Sequence, residues 1–239
     1  MPLRRAPGAR AGLRRFAFVG VALIAMASRA EERGPLGIGE PRAAEPFTLA
    51  QRYLQAARDG DRRTIEIALE RGVAPDAKDE LGRNALLLAV HDAGDLALAK
   101  FLHEKGVALD EPDAGGRAAL SWAAADGRLE IARWLVESGA EADRPDAERR
   151  TPLFHAAAGD HREIAALLLE RGADPNTADR FGDTPLILVC AKGLNEMAAL
   201  LLERGADPAL RDQEGRTAAD RAAPGADVCR GAGAQLSPR

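Results

Sequence analysis

Aromatic side chains are scarce in this chain: six Phe, two Trp and one Tyr among 239 residues. Pleated sheets draw on aromatic and β-branched residues. Here the 46% apolar content is carried mainly by Ala and Leu, which points to closely packed helices. Cysteine is scarcer still. Cys190 and Cys229 are too few for a disulfide scaffold and have no metal-ligand spacing. Cys190 falls at a small-residue helix position and is expected to be a buried core thiol; a bridge to Cys229 is possible, though nothing in the sequence supports it. The four histidines, His91, His103, His155 and His161, lie in separate segments with no H-E-x-x-H or related pattern. Phosphate loops, nucleophile elbows and Cys–His signatures are also missing. These absences argue against an enzyme, and neither a cofactor nor a metal is expected.

Basic charge is short where it would matter for nucleic acid. The first 30 residues hold six Arg and no acid, which leaves 27 basic and 37 acidic residues in the remainder. A body with a net charge of about −10 offers no basic surface for a phosphate backbone, so a protein is the expected partner. Lysine numbers only four against 29 Arg, a ratio read as genomic composition, not as a binding code.

The N-terminus also lacks a long apolar run. Arg4, Arg5, Arg10, Arg14 and Arg15 precede an apolar stretch from Phe16 to Ala27, followed by Ser28-Arg29-Ala30. A positive segment, a short hydrophobic core and small residues at a cleavage point have the form of a secretory signal, and the core is shorter than the roughly 20 residues that span a bilayer comfortably. Residues 1–30 are therefore expected to direct export to the periplasm or the exterior. An uncleaved inner-membrane anchor, a twin-arginine signal at Arg14-Arg15 and an organelle transit peptide are the alternatives. Residues 31–46, with Gly34-Pro35, Gly37, Gly39, Pro41 and Pro46, are expected to form a flexible linker.

What the chain does have is an internal period. Glycine recurs at 72, 106, 139, 172 and 205, and aspartate at 79, 113, 146, 179 and 212, a step of 33 or 34 residues for both. Thr151-Pro152 and Thr184-Pro185 have the form of helix starts, since the Thr can accept from free N–H groups and proline at the first helical position gives up a donor without a partner. Ala56-Ala57, Ala123-Ala124 and Ala156-Ala157 allow close helix approach, and the Leu and Ile positions of each second helix form an apolar stripe. Some positions break the period. Asn84-Ala85 and Ala118-Ala119 replace Thr-Pro, Asp160 replaces the inter-helix glycine, and Gly82 to Gly94 spans one residue more than Gly116 to Gly127. The first two are expected to loosen individual turns, and the last implies a one-residue extension of a first helix or its turn.

The most complete unit runs Thr151-Pro152-Leu153-Phe154-His155-Ala156-Ala157, His161-Arg162-Glu163-Ile164, Leu167-Leu168-Leu169 and Gly172-Ala173-Asp174-Pro175-Asn176. It resembles an ankyrin repeat, and the resemblance extends from about residue 48 to 224. It implies an all-α ankyrin solenoid of helix-turn-helix units joined by short hairpins. The expected domain is 47–224, about five repeats with a C-terminal capping helix over Gly215–Ala223, followed by a disordered tail at 225–239. Terminal units must face water, and both ends depart from the consensus. The resemblance also makes His161 structural and spreads the five periodic aspartates over five hairpins, too far apart for calcium.

The same resemblance implies that a protein docks on the concave face formed by hairpin tips and first helices. Carried over position by position, the contact candidates are Leu81, Glu148, Arg180 and Phe181 at tips, Leu88, Trp122, His155 and Leu188 at variable first-helix positions, and Asp126 and Lys192 near helix ends. Trp122 is open to two readings, a binding hot spot or a member of the seam between first helices. Trp134 is expected in the core. The chain is expected to act as a monomer. The alternative from another class is a small ligand or cofactor held in a concave pocket for a neighbouring envelope enzyme, which would need convergent polar groups.

Overall fold

The computed structural model describes residues 47–234. The expected signal and linker, 1–30 and 31–46, lie outside the described residues. Among the described residues eleven α-helices follow one another: α1 Leu49–Asp59, α2 Arg62–Glu70, α3 Ala85–Leu88, α4 Leu96–Glu104, α5 Ala119–Ala125, α6 Leu129–Glu137, α7 Pro152–Ala158, α8 Arg162–Glu170, α9 Pro185–Lys192, α10 Asn195–Glu203 and α11 Asp227–Ala234. The first ten form five antiparallel pairs, and extended pairing among the described residues is limited to the isolated bridges Lys78–Asn84 and Arg211–Thr217. No helix among the described residues is long and apolar enough to cross a membrane.

Several helices start where a side chain takes the place of a missing backbone partner. Thr151 and Thr184 accept from the N–H groups of Phe154 and Ile187. Asn84 does the same for Leu87 at 2.9 Å. The Asn84 departure therefore preserves the cap, because Asn and Thr are both good acceptors at this position, and no loosening follows there. Ala118 provides no side-chain cap for α5.

The additional residue of the second unit takes the form of a π-helical turn, Ala89–Ala93, continuing α3. Widening one turn adds the residue within the helix, and Asp95 N–H still closes onto the Ala89 carbonyl at 3.1 Å. The hairpins on either side keep their register.

Small residues hold the first helices together. Ala57, Ala89, Ala123, Ala124, Ala156 and Ala157 are fully buried, and the second helices add Ile65, Leu102, Leu135, Leu168 and Leu201 behind them. Trp134, expected in the core, is half-buried at its margin, edge-on to His103 with ring centroids 6.1 Å apart.

Two polar ladders tie the units across this seam. At the hairpins, the N–H groups of Ala114, Ala147, Arg180 and Gln213 donate to the carbonyls of Leu81, Gly115, Glu148 and Phe181 at 2.9 to 3.1 Å. Beyond the second helices, Glu141 N–H donates to Asp110, Asp174 N–H to Asp143 and Asp207 N–H to Asn176. The hairpin ladder explains one glycine directly. Gly116 has φ +78°, and a Cβ there would come within 2.6 Å of the Ala147 nitrogen.

The C-terminus differs from its expectation. Residues 217–222 form a turn closed by Arg221 N–H on the Thr217 carbonyl, with Thr217 and Asp220 bonded to each other, in place of a capping helix. The chain is then drawn back onto the last pair: Ala223 N–H donates to the Cys190 carbonyl and the Asn195 amide to that of Gly225. The cap is α11, in the stretch expected to be a disordered tail. Cys229 on α11 is bonded to Cys190 on α9, both sulfurs belonging to residues at most 1% exposed, so Cys190 is not a free thiol. The geometry that brings them together depends on the turn at 217–226, which sequence spacing does not reveal.

Two changes test these junctions. Ala118→Thr should raise stability to urea by about 1 kcal/mol, by giving α5 the cap its neighbours have. The paired Cys190→Ala and Cys229→Ala variant should lose roughly 3–4 kcal/mol, the entropic value for a loop of 39 residues, with the same midpoint with and without reductant.

Candidate functional site

The concave side of the array is organised by the five periodic aspartates. Each bends its hairpin in the same way: one carboxylate oxygen, Oδ1, accepts from the backbone N–H groups two and four residues ahead. Asp79 holds Leu81 and Arg83, Asp113 holds Gly115 and Arg117, and Asp146 holds Glu148 and Arg150, at 2.8 to 3.0 Å. Asp179 and Asp212 repeat the arrangement with Phe181 and Asp183 and with Glu214 and Arg216. A short acceptor that can bond its own backbone is the reason aspartate suits this position.

In three units the second oxygen meets the residue nine positions on in sequence. Trp122 donates its indole N–H to Asp113 at 2.9 Å, His155 its Nε2–H to Asp146 at 3.0 Å, and Arg221 reaches Asp212 at 2.8 Å. Asp79 is served instead by Arg58 and Arg83, at 2.8 and 3.0 Å. The variable first-helix positions are therefore largely occupied inside the protein.

Trp122 shows this arrangement most fully. The residue is half-buried, its ring lies 3.9 Å from that of His91, and the Arg117 guanidinium stands 4.6 Å over it. It belongs to the seam, with one edge left to solvent. Leu88 is fully buried and His155 is 6% exposed, so neither offers a contact surface; each packs between adjacent first helices. Leu188 is half-buried.

The remaining candidates divide into two groups. Asp126 accepts from His91 Nδ1 at 2.7 Å and Lys192 donates to the Ala158 carbonyl at 2.6 Å, both at the helix-end rim. At the tips, Arg180 pairs with Glu148 across two hairpins at 2.6 Å and also lies 4.6 Å over the Phe181 ring. Phe181 and Leu81 are 54% and 56% exposed. The structure thus brings Glu148, Arg180 and Phe181 together and leaves Leu81 at the other end, beside a groove of about 610 Å³ lined by Phe47, Leu54, Arg58, Lys78 and Leu81. Sequence reasoning missed Phe47 in this group. Its position immediately before the Thr48 cap of α1, without a preceding repeat to cover it, was the available signal.

Charge on this face is internally neutralised in most hairpins. Burial raises the Asp146 carboxyl, but hydrogen bonds from Arg150 and His155 and the Arg150 charge outweigh it and hold the pKa below the ordinary value. Burial, followed by the nearby Arg117 charge, lowers the His155 imidazole despite its bond to Asp146. Asp146 is thus the ionised acceptor and His155 the neutral donor. Asp79 and Asp212 are also lowered, in both cases because bonds from neighbouring arginines overcome burial. Among the described residues no cluster of His, Cys, Asp and Glu has the makings of a metal site.

The His155 shift has a pH consequence. Its folded pKa lies below the ordinary 6.5, so as pH falls through 6.5 the unfolded chain binds the proton first and stability declines. Between pH 7.5 and 5.5 the urea midpoint should drop, and His155→Leu, which installs the residue present at 88 and 188, should make the drop smaller.

Two family models match this chain. One, described as ankyrin repeats in three copies, covers residues 54–146, and a second, described as ankyrin repeats in many copies, covers 139–189 and 168–222. No curated protein matches it.

Proposed function

Because this chain belongs to the ankyrin-repeat family, whose repeats are generally protein-interaction modules, we propose that it captures a protein partner through the hairpin-tip edge of its concave face. The observation that carries this reading is the exposure of large apolar side chains along this edge: Phe181 and Leu81 at the tips are each more than half exposed, and Phe47 before α1 is 66% exposed. An aromatic anchor beside an arginine is a usual energetic centre of a protein interface. The tips carry such a pair in Phe181 and Arg180.

The contact set is accordingly Leu81, Glu148, Arg180 and Phe181, with Asp126, Lys192 and Leu188 along the helix-end rim and the outer edge of Trp122 between them. Leu88 and His155 are excluded by burial. The partner is a protein, not nucleic acid, in keeping with the acidic body of the chain. The chain acts as a binding monomer without catalysis.

The reading extends to location. The Arg-rich start with its short apolar run supports export, and the buried Cys190–Cys229 bridge adds independent support, since such bonds persist in oxidising compartments and are rare in reducing ones.

Affinity capture with the whole chain from the envelope and medium of the native host tests the proposal. A stoichiometric protein should be retained, and the paired Leu81→Ala and Phe181→Ala variant should lose it by about tenfold or more in affinity with unchanged helicity. Equal retention by this variant would remove the hairpin tips from the interface.

A further inference from the structure

The Asp179 hairpin departs twice from the pattern of the others. Four residues beyond the aspartate, where the other hairpins have Arg83, Arg117, Arg150 and Arg216, it has Asp183. Nine residues beyond, where Trp122, His155 and Arg221 donate to the second carboxylate oxygen, it has Leu188, and unlike the Asp79 hairpin with Leu88 it has no arginine on that oxygen instead. Asp179 is 7% exposed, and among the described residues its side chain accepts only the two backbone N–H bonds on Oδ1. The hairpin thus replaces a cation by an anion and loses a donor at the same point.

The neighbouring hairpin compensates only in part. Arg221 reaches Asp183 at 3.1 Å, but the same guanidinium nitrogen is held by Asp212 at 2.8 Å, and Arg216 is divided between Asp212 and Glu214. Three carboxylates, Asp183, Asp212 and Glu214, therefore share two guanidiniums, and Asp179 beside them pairs with neither. Burial, with the charges of Asp179 and Asp212, raises the Asp183 carboxyl despite Arg221, as expected of an anion short of counter-charge.

A recess of about 230 Å³ lies at this point, bounded by Phe181, Asp183, Asp212, Glu214, Arg216 and Arg221. Phe181 presents an exposed ring at its edge, and Arg180 stands over that ring while its own charge is committed to Glu148. An aromatic face beside an under-compensated carboxylate suits a cation on an apolar stem: the stem covers the ring and the head meets the carboxylate. Guanidinium matches a carboxylate in two parallel bonds, which an ammonium cannot do.

We propose that the recess between the Asp179 and Asp212 hairpins seats an arginine side chain of the protein partner, its stem against Phe181 and its guanidinium on Asp183. This rests on the protein-binding reading above and specifies the chemistry of one of its contacts.

The test needs no partner. The whole chain, isotope-labelled, is titrated with the tripeptide acetyl-Gly-Arg-Gly-amide while the backbone amide resonances of Phe181, Asp183, Gln213 and Glu214 are followed. Saturable shifts confined to these amides are expected, with a dissociation constant on the order of tens of millimolar, in line with one cation–π contact and one ion pair. Asp183→Arg, which restores the residue of the other four hairpins, should weaken binding by about tenfold, and Phe181→Ala, a change at an exposed side chain, should weaken it severalfold with the circular dichroism spectrum unchanged. The tripeptide with citrulline in place of arginine should not bind. Absence of saturable shifts, equal binding of the citrulline peptide, or full binding by Asp183→Arg would overturn the proposal, and equal binding of a lysine tripeptide would overturn the choice of arginine. Failure here leaves the capture experiment to judge protein binding on its own, and failure of capture leaves the titration result standing.

Discussion

A carboxylate that bonds two backbone amides of its own turn is the interaction on which the rest of this array depends. Asp79, Asp113, Asp146, Asp179 and Asp212 each close a hairpin with one oxygen, which sets the direction in which the following carbonyl and N–H point. Only with that direction set can the tips of successive hairpins bond to one another, as Ala114 does to Leu81 and Gln213 to Phe181. The second oxygen then becomes a fixed buried-edge acceptor facing the next first helix. Four units satisfy it, with indole, imidazole or guanidinium, and the Asp179 unit does not, so one repeated backbone device supports a face whose chemistry varies from unit to unit.

Energetically the array follows the logic of a one-dimensional stack, where each unit is stable only through its neighbours. The alanine seam allows the first helices to come close, and the Leu and Ile stripe of the second helices excludes water behind it. The polar ladders contribute modestly per bond, about 1 kcal/mol each, but they fix register, which the non-directional apolar seam cannot do. The π-helical turn at Ala89–Ala93 shows which of the two is less tolerant: the additional residue is absorbed in a helix, and the ladder is left intact.

Much of this was legible in the amino-acid order because the determinants are local and periodic. The 33-residue step, the Thr-Pro starts and the apolar stripe specify helix pairs without reference to anything distant in sequence. The site was less legible. Leu88, Trp122, His155 and Leu188 align as one variable position, yet Trp122 and His155 there turn inward to the hairpin aspartate; knowing this requires the direction of a side chain, not its spacing. The nine-residue interval from each aspartate was nonetheless visible, as was the break at Asp183. The C-terminal cap was the least legible part. Its Gly, Ala and Pro content suggests disorder, while α11 is held by one covalent bond and by the return of the chain at Ala223 and Gly225, both of them long-range effects.

The helical insertion has a further consequence. A residue added between Gly82 and Gly94 widens the helix-end side of one unit and leaves the hairpin side at its normal pitch. The two rims of the array therefore accept change under different rules: the hairpin rim varies by exchanging side chains on a constant backbone, whereas the opposite rim also varies by length. A surface intended to recognise something new could be lengthened on that second side, at the turns after α3, α5, α7 and α9, while the aspartate-supported rim continues to set the distance between neighbouring units.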